Sequence, residues 1–136
     1  MTTQTGGCAC GAIRFEIDAD PVFQFACHCL ACQKSNGGAP TYGFIAPKAG
    51  VKLTKGSPRT YWSEGDSGGK VGRQFCETCG SPLFSEIANM PVMLGVKAGA
   101  LDDAAAFKPQ AHIWTESAQP WHTFQADLPR MPRNPG

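Results

Sequence analysis

The sequence is short of charge. Charged residues make up 17% of its 136 positions and the formal net charge is +1, where an ordinary globular chain carries about a quarter. No surface of one sign is expected, so neither a nucleic acid nor an anionic membrane is expected as a partner. Long hydrophobic runs are missing too. The longest apolar stretch of note, residues 90–96, is broken by Pro91 and Gly95, whereas a membrane-spanning helix needs about twenty apolar residues. Residues 1–15 lack a basic start followed by an apolar segment, so no secretory leader is expected. The expected compartment is the cytosol, where thiols stay reduced. No linker and no low-complexity tract divides the chain. One domain is expected over residues 1–128, followed by a proline-rich tail over 129–136 that lies over the surface or is partly disordered.

What is abundant is punctuation. Glycine (16) and proline (11) together fill 27 of the 136 positions, which favours short strands and turns over long helices. Residues 12–17 alternate apolar and polar, the period of a half-buried strand. Segments 22–25, 41–46, 51–54, 60–62, 71–75, 82–84, 92–96 and 111–114 are strand-like as well. Many short strands separated by Gly and Pro predict packed antiparallel sheets, a mainly β fold. One short helix is expected over residues 30–35, and Asp102 is expected to cap a turn over 102–106.

Cysteine is the informative residue. There are seven, an odd number that excludes a fully paired set of intrachain disulfides. They fall in three clusters: Cys8-Ala9-Cys10-Gly11, Cys27-His28-Cys29-Leu30-Ala31-Cys32 and Cys76-Glu77-Thr78-Cys79-Gly80. Reduced cysteines at such spacing are read as metal ligands or catalytic groups. Burial as inert apolar residues and redox pairing of Cys29 with Cys32, or of Cys76 with Cys79, are the competing uses. The metal reading divides the seven into four and three. Cys8, Cys10, Cys76 and Cys79 form two halves of one tetrahedral zinc site. The glycine after each half, Gly11 or Gly80, lets the backbone take a positive φ and turn its amides toward a thiolate. Such a site closes a long loop and stabilises a chain with a modest core.

The middle cluster offers Cys27, Cys29 and Cys32, followed by Gln33 rather than glycine. Three protein ligands and an open position are the pattern of a catalytic zinc. If residues 30–35 are helical, Cys29 and Cys32 lie one turn apart on one face, near a helix start that favours thiolates. His28 points the other way from its neighbours. It is expected to orient a ligand or move a proton rather than bind the same ion.

These residues resemble the glutathione-dependent formaldehyde-activating enzyme family, to which centromere protein V also belongs. The likeness runs from residue 6 to about residue 121. It is carried by residues 6–15 with Cys8 and Cys10, by Cys27-His28-Cys29-Leu30-Ala31-Cys32-Gln33-Lys34, and by Arg73-Gln74-Phe75-Cys76-Glu77-Thr78-Cys79-Gly80-Ser81. Weaker echoes are residues 99–102, His112-Ile113-Trp114 and Trp121. The resemblance implies a β-tent fold of two or three antiparallel sheets around a zinc knuckle. It implies a structural zinc on Cys8, Cys10, Cys76 and Cys79 and a catalytic zinc on Cys27, Cys29 and Cys32. It also implies glutathione and formaldehyde as partners. The chain is shorter than the enzyme that gives the family its name, so segments that bind glutathione there are not all expected here.

Zinc held by three thiolates is a weak Lewis acid and is better suited to keeping a substrate thiol ionised. A carbon–sulfur lyase acting on a thiol–aldehyde adduct is therefore expected, with Cys27, Cys29, Cys32 and His28 at its centre. The alternative is a zinc-stapled binding module without catalysis. A carboxylate-bearing thiol such as glutathione calls for nearby cations, and Lys34, Arg14 and Arg73 lie closest in sequence. Residues 65–71 resemble a phosphate loop in glycine content alone and are expected to form a flexible loop, with a lid over the zinc pocket as a further use. His112 and Trp114 are expected on one side of a strand, and His122 at the surface.

Overall fold

Alternation decides what the strand Arg14–Ile17 buries, with Phe15 and Ile17 inside and Glu16 outside. The computed structural model describes residues 3–65 and 68–134. In chain order its strands are β1 (Gln4–Gly7), β2 (Arg14–Ile17), β3 (Phe23–Cys27), β4 (Thr41–Pro47), β5 (Val51–Lys55), β6 (Arg59–Glu64), β7 (Lys70–Phe75), β8 (Pro82–Ile87), β9 (Met93–Lys97) and β10 (Ala111–Ile113). One α-helix, α1 (Leu30–Asn36), separates β3 from β4. The strands form a small sheet, β1-β2-β5, and a large one, β10-β3-β4-β9-β8-β7-β6. Every pairing is antiparallel except that of β10 with β3. The fold is mainly β, with two sheets, as the punctuation of the sequence predicts.

The core fills the space between the sheets. Phe44 and Ala46 of β4, Leu94 and Val96 of β9 and Phe84 of β8 pack with Phe15 and Ile17 of β2. Phe15 and Phe84 meet edge to face, their centroids 4.9 Å apart. Each of the larger side chains stabilises the fold by about 1.5–3 kcal/mol when removed from water. All these residues of the large sheet are even-numbered, so its odd-numbered residues point to the opposite face.

Strand β1 escapes the apolar pattern because Gln4-Thr5-Gly6-Gly7 contains no apolar side chain. It forms because it can lie close. Any side chain at Gly6 would collide with the Phe15 ring and the Ala100 carbonyl oxygen. Asp102 does not cap a turn. Its amide donates to the Thr5 carbonyl at 2.9 Å, and that places its carboxylate against Arg14 and the Thr5 hydroxyl. The neighbouring Asp103 takes the turn instead, accepting from the Ala105 amide at 3.0 Å.

The proline-rich residues run beside β10. The His112 amide donates to the Pro129 carbonyl at 2.9 Å and the Met131 amide to the His112 carbonyl at 2.8 Å. The Trp114 amide reaches the Arg133 carbonyl at 3.1 Å, and its indole donates to Asn134 Oδ1 at 2.7 Å. Among the described residues, no helix is long and apolar enough to cross a membrane.

Candidate metal centres and the cavity beside them

Two turns bring Cys8, Cys10, Cys76 and Cys79 together, with all four Sγ atoms within 4.8 Å of one another. The two turns are built alike. In the first, the Cys8 amide donates to the Ile13 carbonyl and Gly11 donates back to the Cys8 carbonyl, both at 3.2 Å. In the second, Cys76 donates to the Ser81 carbonyl at 3.0 Å and Gly80 to the Cys76 carbonyl at 2.7 Å. Both glycines have the expected positive φ, +79° at Gly11 and +78° at Gly80. Donors face the sulfurs. The Ile13 amide lies 3.2 Å from Cys8 Sγ, and the Ser81 hydroxyl lies 3.2 Å from Cys79 Sγ. The Ser81 hydrogen bonds hold the Cys79 thiol down at about 5. Four sulfurs about 2.3 Å from a tetrahedral zinc stand about 3.8 Å apart. The separations of 3.6 Å for Cys8–Cys10 and 3.8 Å for Cys10–Cys76 match that figure. The residues fit a zinc ion.

The second group, Cys27, Cys29 and Cys32, also converges within 4.8 Å, with Cys27 and Cys32 sulfurs 3.6 Å apart. Cys27 ends β3, Cys29 caps α1 and Cys32 lies in its first turn. The Cys32 amide donates to Cys29 Sγ at 3.2 Å. Gln33 shows why glycine is not needed after the last ligand. Its side-chain amide donates to the His28 carbonyl at 2.8 Å and the Ser117 carbonyl at 3.0 Å, while its oxygen accepts from Gln119 at 2.7 Å. Asn36 and Thr41 donate to the Cys32 carbonyl from the far end of α1 and from β4. Hydrogen bonds from Cys27 and Cys29, with the charges of Lys97 and Arg73 added, hold the Cys32 thiol down at about 2. The sulfurs share protons, so the hydrogen bonds with Cys29 and Cys32 push Cys27 up. This donor set also fits zinc, and among the described residues no fourth Cys, His or carboxylate joins it.

Beside this trio lies a cavity of about 560 Å³, a common size for a small-molecule site. Its floor is the odd-numbered face of the large sheet. Cys27 stands opposite Thr41, Phe25 opposite Gly43 and Gly43 opposite Lys97. The next row runs Phe23, Ile45, Gly95, Ser85, Arg73. Gly43, Gly95 and Ser85 keep the middle of the floor low. Phe23 and Phe25 stack at 5.9 Å on one side, and Val71 and Ile87 stand on the other. Of residues 65–71, Gly65 and Val71 line the cavity; Asp66 and Ser67 lie outside the described residues.

His28 faces away from this cavity. It is fully buried, with Nε2 3.0 Å from His112 Nδ1. His122 packs on both rings at 4.6 and 5.6 Å, and Phe124 completes the cluster. His122 is therefore half-buried rather than a surface residue, drawn in by aromatic packing that sequence spacing does not reveal. Burial, then the charges of His122 and His112, pull the His28 imidazole down to about 4. One nitrogen of each histidine lies within 4.8 Å of the others. The Arg130 guanidinium, 4.3 Å from the Phe124 ring, sets a positive charge beside them that opposes a bound cation. Trp114 parts from His112 because β10 ends at Ile113. The backbone of Trp114 turns left-handed, φ 56°, so it lines the cavity and His112 does not.

The cations nearest in sequence separate in space. Arg14 is bound to Asp102, and Lys34 is exposed on α1 and does not line the cavity. Arg73 does line it, joined by Lys97, which sequence spacing missed. The signal for Lys97 was its odd position at the end of an apolar strand.

The comparisons agree with this architecture. A protein from Halomonas elongata, provisionally named a glutathione-dependent formaldehyde-activating enzyme, is 29% identical over 121 residues, covering 85% of this chain and 77% of its own. A crystal structure of a Rhodobacter sphaeroides protein shares the fold with a TM-score of 0.59 at 20% identity, over 72% of this chain and 87% of that one. The model of the family described as glutathione-dependent formaldehyde-activating enzyme matches residues 3–117. The chain belongs to that family.

Proposed function

We propose that the protein is a carbon–sulfur lyase that makes and breaks a thiol–aldehyde adduct at Cys27, Cys29 and Cys32. The observation that carries this reading is the opening of a three-sulfur cluster onto a cavity of about 560 Å³, with the family's formaldehyde and thiol chemistry in support. Cys8, Cys10, Cys76 and Cys79 hold a structural zinc, and Cys27, Cys29 and Cys32 hold a second. Zinc bound by the trio would keep a substrate thiol ionised at neutral pH.

The chain's own residues do the rest. Phe23, Phe25 and Trp114 wall the site with apolar surface, which strengthens every charge interaction inside it. Lys97 and Arg73 offset the negative charge of the thiolates. Gln33, tied to the His28 and Ser117 carbonyls, fixes the ligand loop. His28 acts here as a positioning residue, since its ring packs behind the loop and leaves the cavity free. In the forward direction the thiolate sulfur adds to the carbonyl carbon of formaldehyde. A carbon–sulfur bond forms, and the oxygen takes the displaced electron pair and a proton from water. The reverse step breaks that bond and returns thiolate and aldehyde.

The test is the breakdown of hydroxymethyl adducts across a panel of thiols that includes glutathione. Wild-type protein is expected to accelerate breakdown of at least one adduct. Cys29→Ser is expected to reduce that rate by about a hundredfold or more, the usual scale for a lost element of the catalytic site. Equal rates for the two proteins would sink the reading.

A further inference from the structure

The cavity's charge is one-sided among the described residues. No aspartate or glutamate of these lines it, and two cations do, Arg73 and Lys97. The ion pairs among the described residues use other cations. Arg73 donates one bond from Nη1 to the Ser63 hydroxyl at 3.1 Å, while its Nε is buried with no partner. A charged donor left unpaired in a buried position is costly, and such a group suits an acceptor that arrives with a ligand. Low residues lie between the two cations. Lys97 stands across from Gly43, and the row beside it runs Gly95, Ser85, Arg73. Most of the remaining lining is apolar, with Phe23, Phe25, Ile45, Val71, Ile87 and Met90 contributing side chains.

We propose that this pocket takes an apolar thiol carrying a single carboxylate, the carboxylate held by Arg73 and Lys97 and the apolar body lying over Phe23, Phe25 and Ile45. The inference rests on the reading of the cysteine trio as the place where the thiol binds. Glutathione is a poor occupant. It brings an ammonium group for which the described residues of the lining offer no acid, a second carboxylate, and peptide amides that apolar walls cannot satisfy. A guanidinium and an ammonium on a low floor match one carboxylate with charge-assisted hydrogen bonds.

Arg73 and Lys97 also bear on Cys32, so their effect on sulfur must be separated from their effect on the ligand. Two sulfur-free probes, decanoate and decanol, do this, and glutathione is the thiol set against them. Calorimetric titration of the zinc-replete full chain with decanoate, decanol and glutathione is expected to rank decanoate first, by about tenfold or more over each of the others, the scale of one good charged contact. Arg73→Gln and Lys97→Met are each expected to weaken decanoate by about tenfold while changing decanol less than about twofold. Arg73→Lys, which keeps the charge, is expected to restore part of the loss. Glutathione binding as tightly as decanoate, or decanoate binding unmoved in both charge-removing variants, overturns the proposal. A variant that loses decanol as well has lost the apolar walls, and the ranking of the three ligands on wild type then decides. Decanoate binding with no turnover of any hydroxymethyl-thiol supports the pocket and sinks the lyase reading. Turnover of the glutathione adduct without decanoate binding does the reverse.

Discussion

The four-cysteine and three-cysteine clusters use one kind of ligand in opposite settings. The first joins two turns far apart in the chain, Cys10 and Cys76 being 66 positions apart. It exposes Cys10 and Cys79 and lines no part of the large cavity. The second draws its ligands from residues 27–32 and lies beside the cavity. Cross-linking distant turns removes many conformations from the unfolded chain, while linking neighbours removes few. A metal in the first cluster therefore stabilises the fold, and one in the second is free to serve chemistry. The difference lies in chain separation and surroundings, since the sulfurs in both stand about equally far apart.

The largest expected effect breaks this comparison at its root. Cys76→Ser is expected to remove several kcal/mol of stability, seen as loss of a cooperative thermal transition. Cys29→Ser is expected to melt within a few degrees of wild type. If the two variants melt alike, the clusters do not differ in the way their chain separations imply.

Acid sharpens the comparison, because the histidines lie behind only one cluster. Burial, then the charges of His122 and Arg130, hold His112 below its ordinary 6.5, and His28 also faces it. The unfolded chain gains a proton at this residue before the folded chain does. The resulting destabilisation vanishes well above pH 6.5 and grows as pH falls through that value. Thermal melts of wild type and His112→Phe between neutral pH and pH about 5 are expected to show a shallower loss in the variant. Parallel curves would remove His112 from the account.

The smallest expected effect concerns the turns of the four-cysteine cluster. Nothing lies within 4 Å of a methyl group added at Gly11 or Gly80. Substitution by Ala thus tests the positive φ alone, at a cost of about 1 kcal/mol each. Chemical denaturation measures it, and nearly equal losses at the two sites are expected from their matching geometry.

The cysteine partition was legible because ligand spacing is local and each half carries its own glycine. So were nine of the ten strands, two by their alternation and the rest as strand-like segments set off by Gly and Pro. Strand β1 was not, since Gly6 is selected by the close approach of Phe15 and Ala100, and Gly7 by that of Ile13 and Arg14, rather than by a pattern of their own. The histidine cluster was hidden for a related reason. His28 and His112 meet because β10 runs parallel to β3, a pairing between segments more than eighty positions apart. Lys97 falls just past the strand expected over 92–96, and its place opposite Gly43 follows only from sheet order.

The strip of chain beside β10 carries a different kind of consequence. Residues 129–134 occupy hydrogen-bonding groups at an edge of the large sheet, where a bare edge invites another chain to pair. The same strip steadies Trp114, and Asn134 itself lines the cavity. None of these residues is a cysteine. Part of what shapes the pocket thus lies in a stretch of chain that carries no sulfur of either cluster. Selection can revise the guest list through this hem of the sheet while leaving all seven sulfurs where they are.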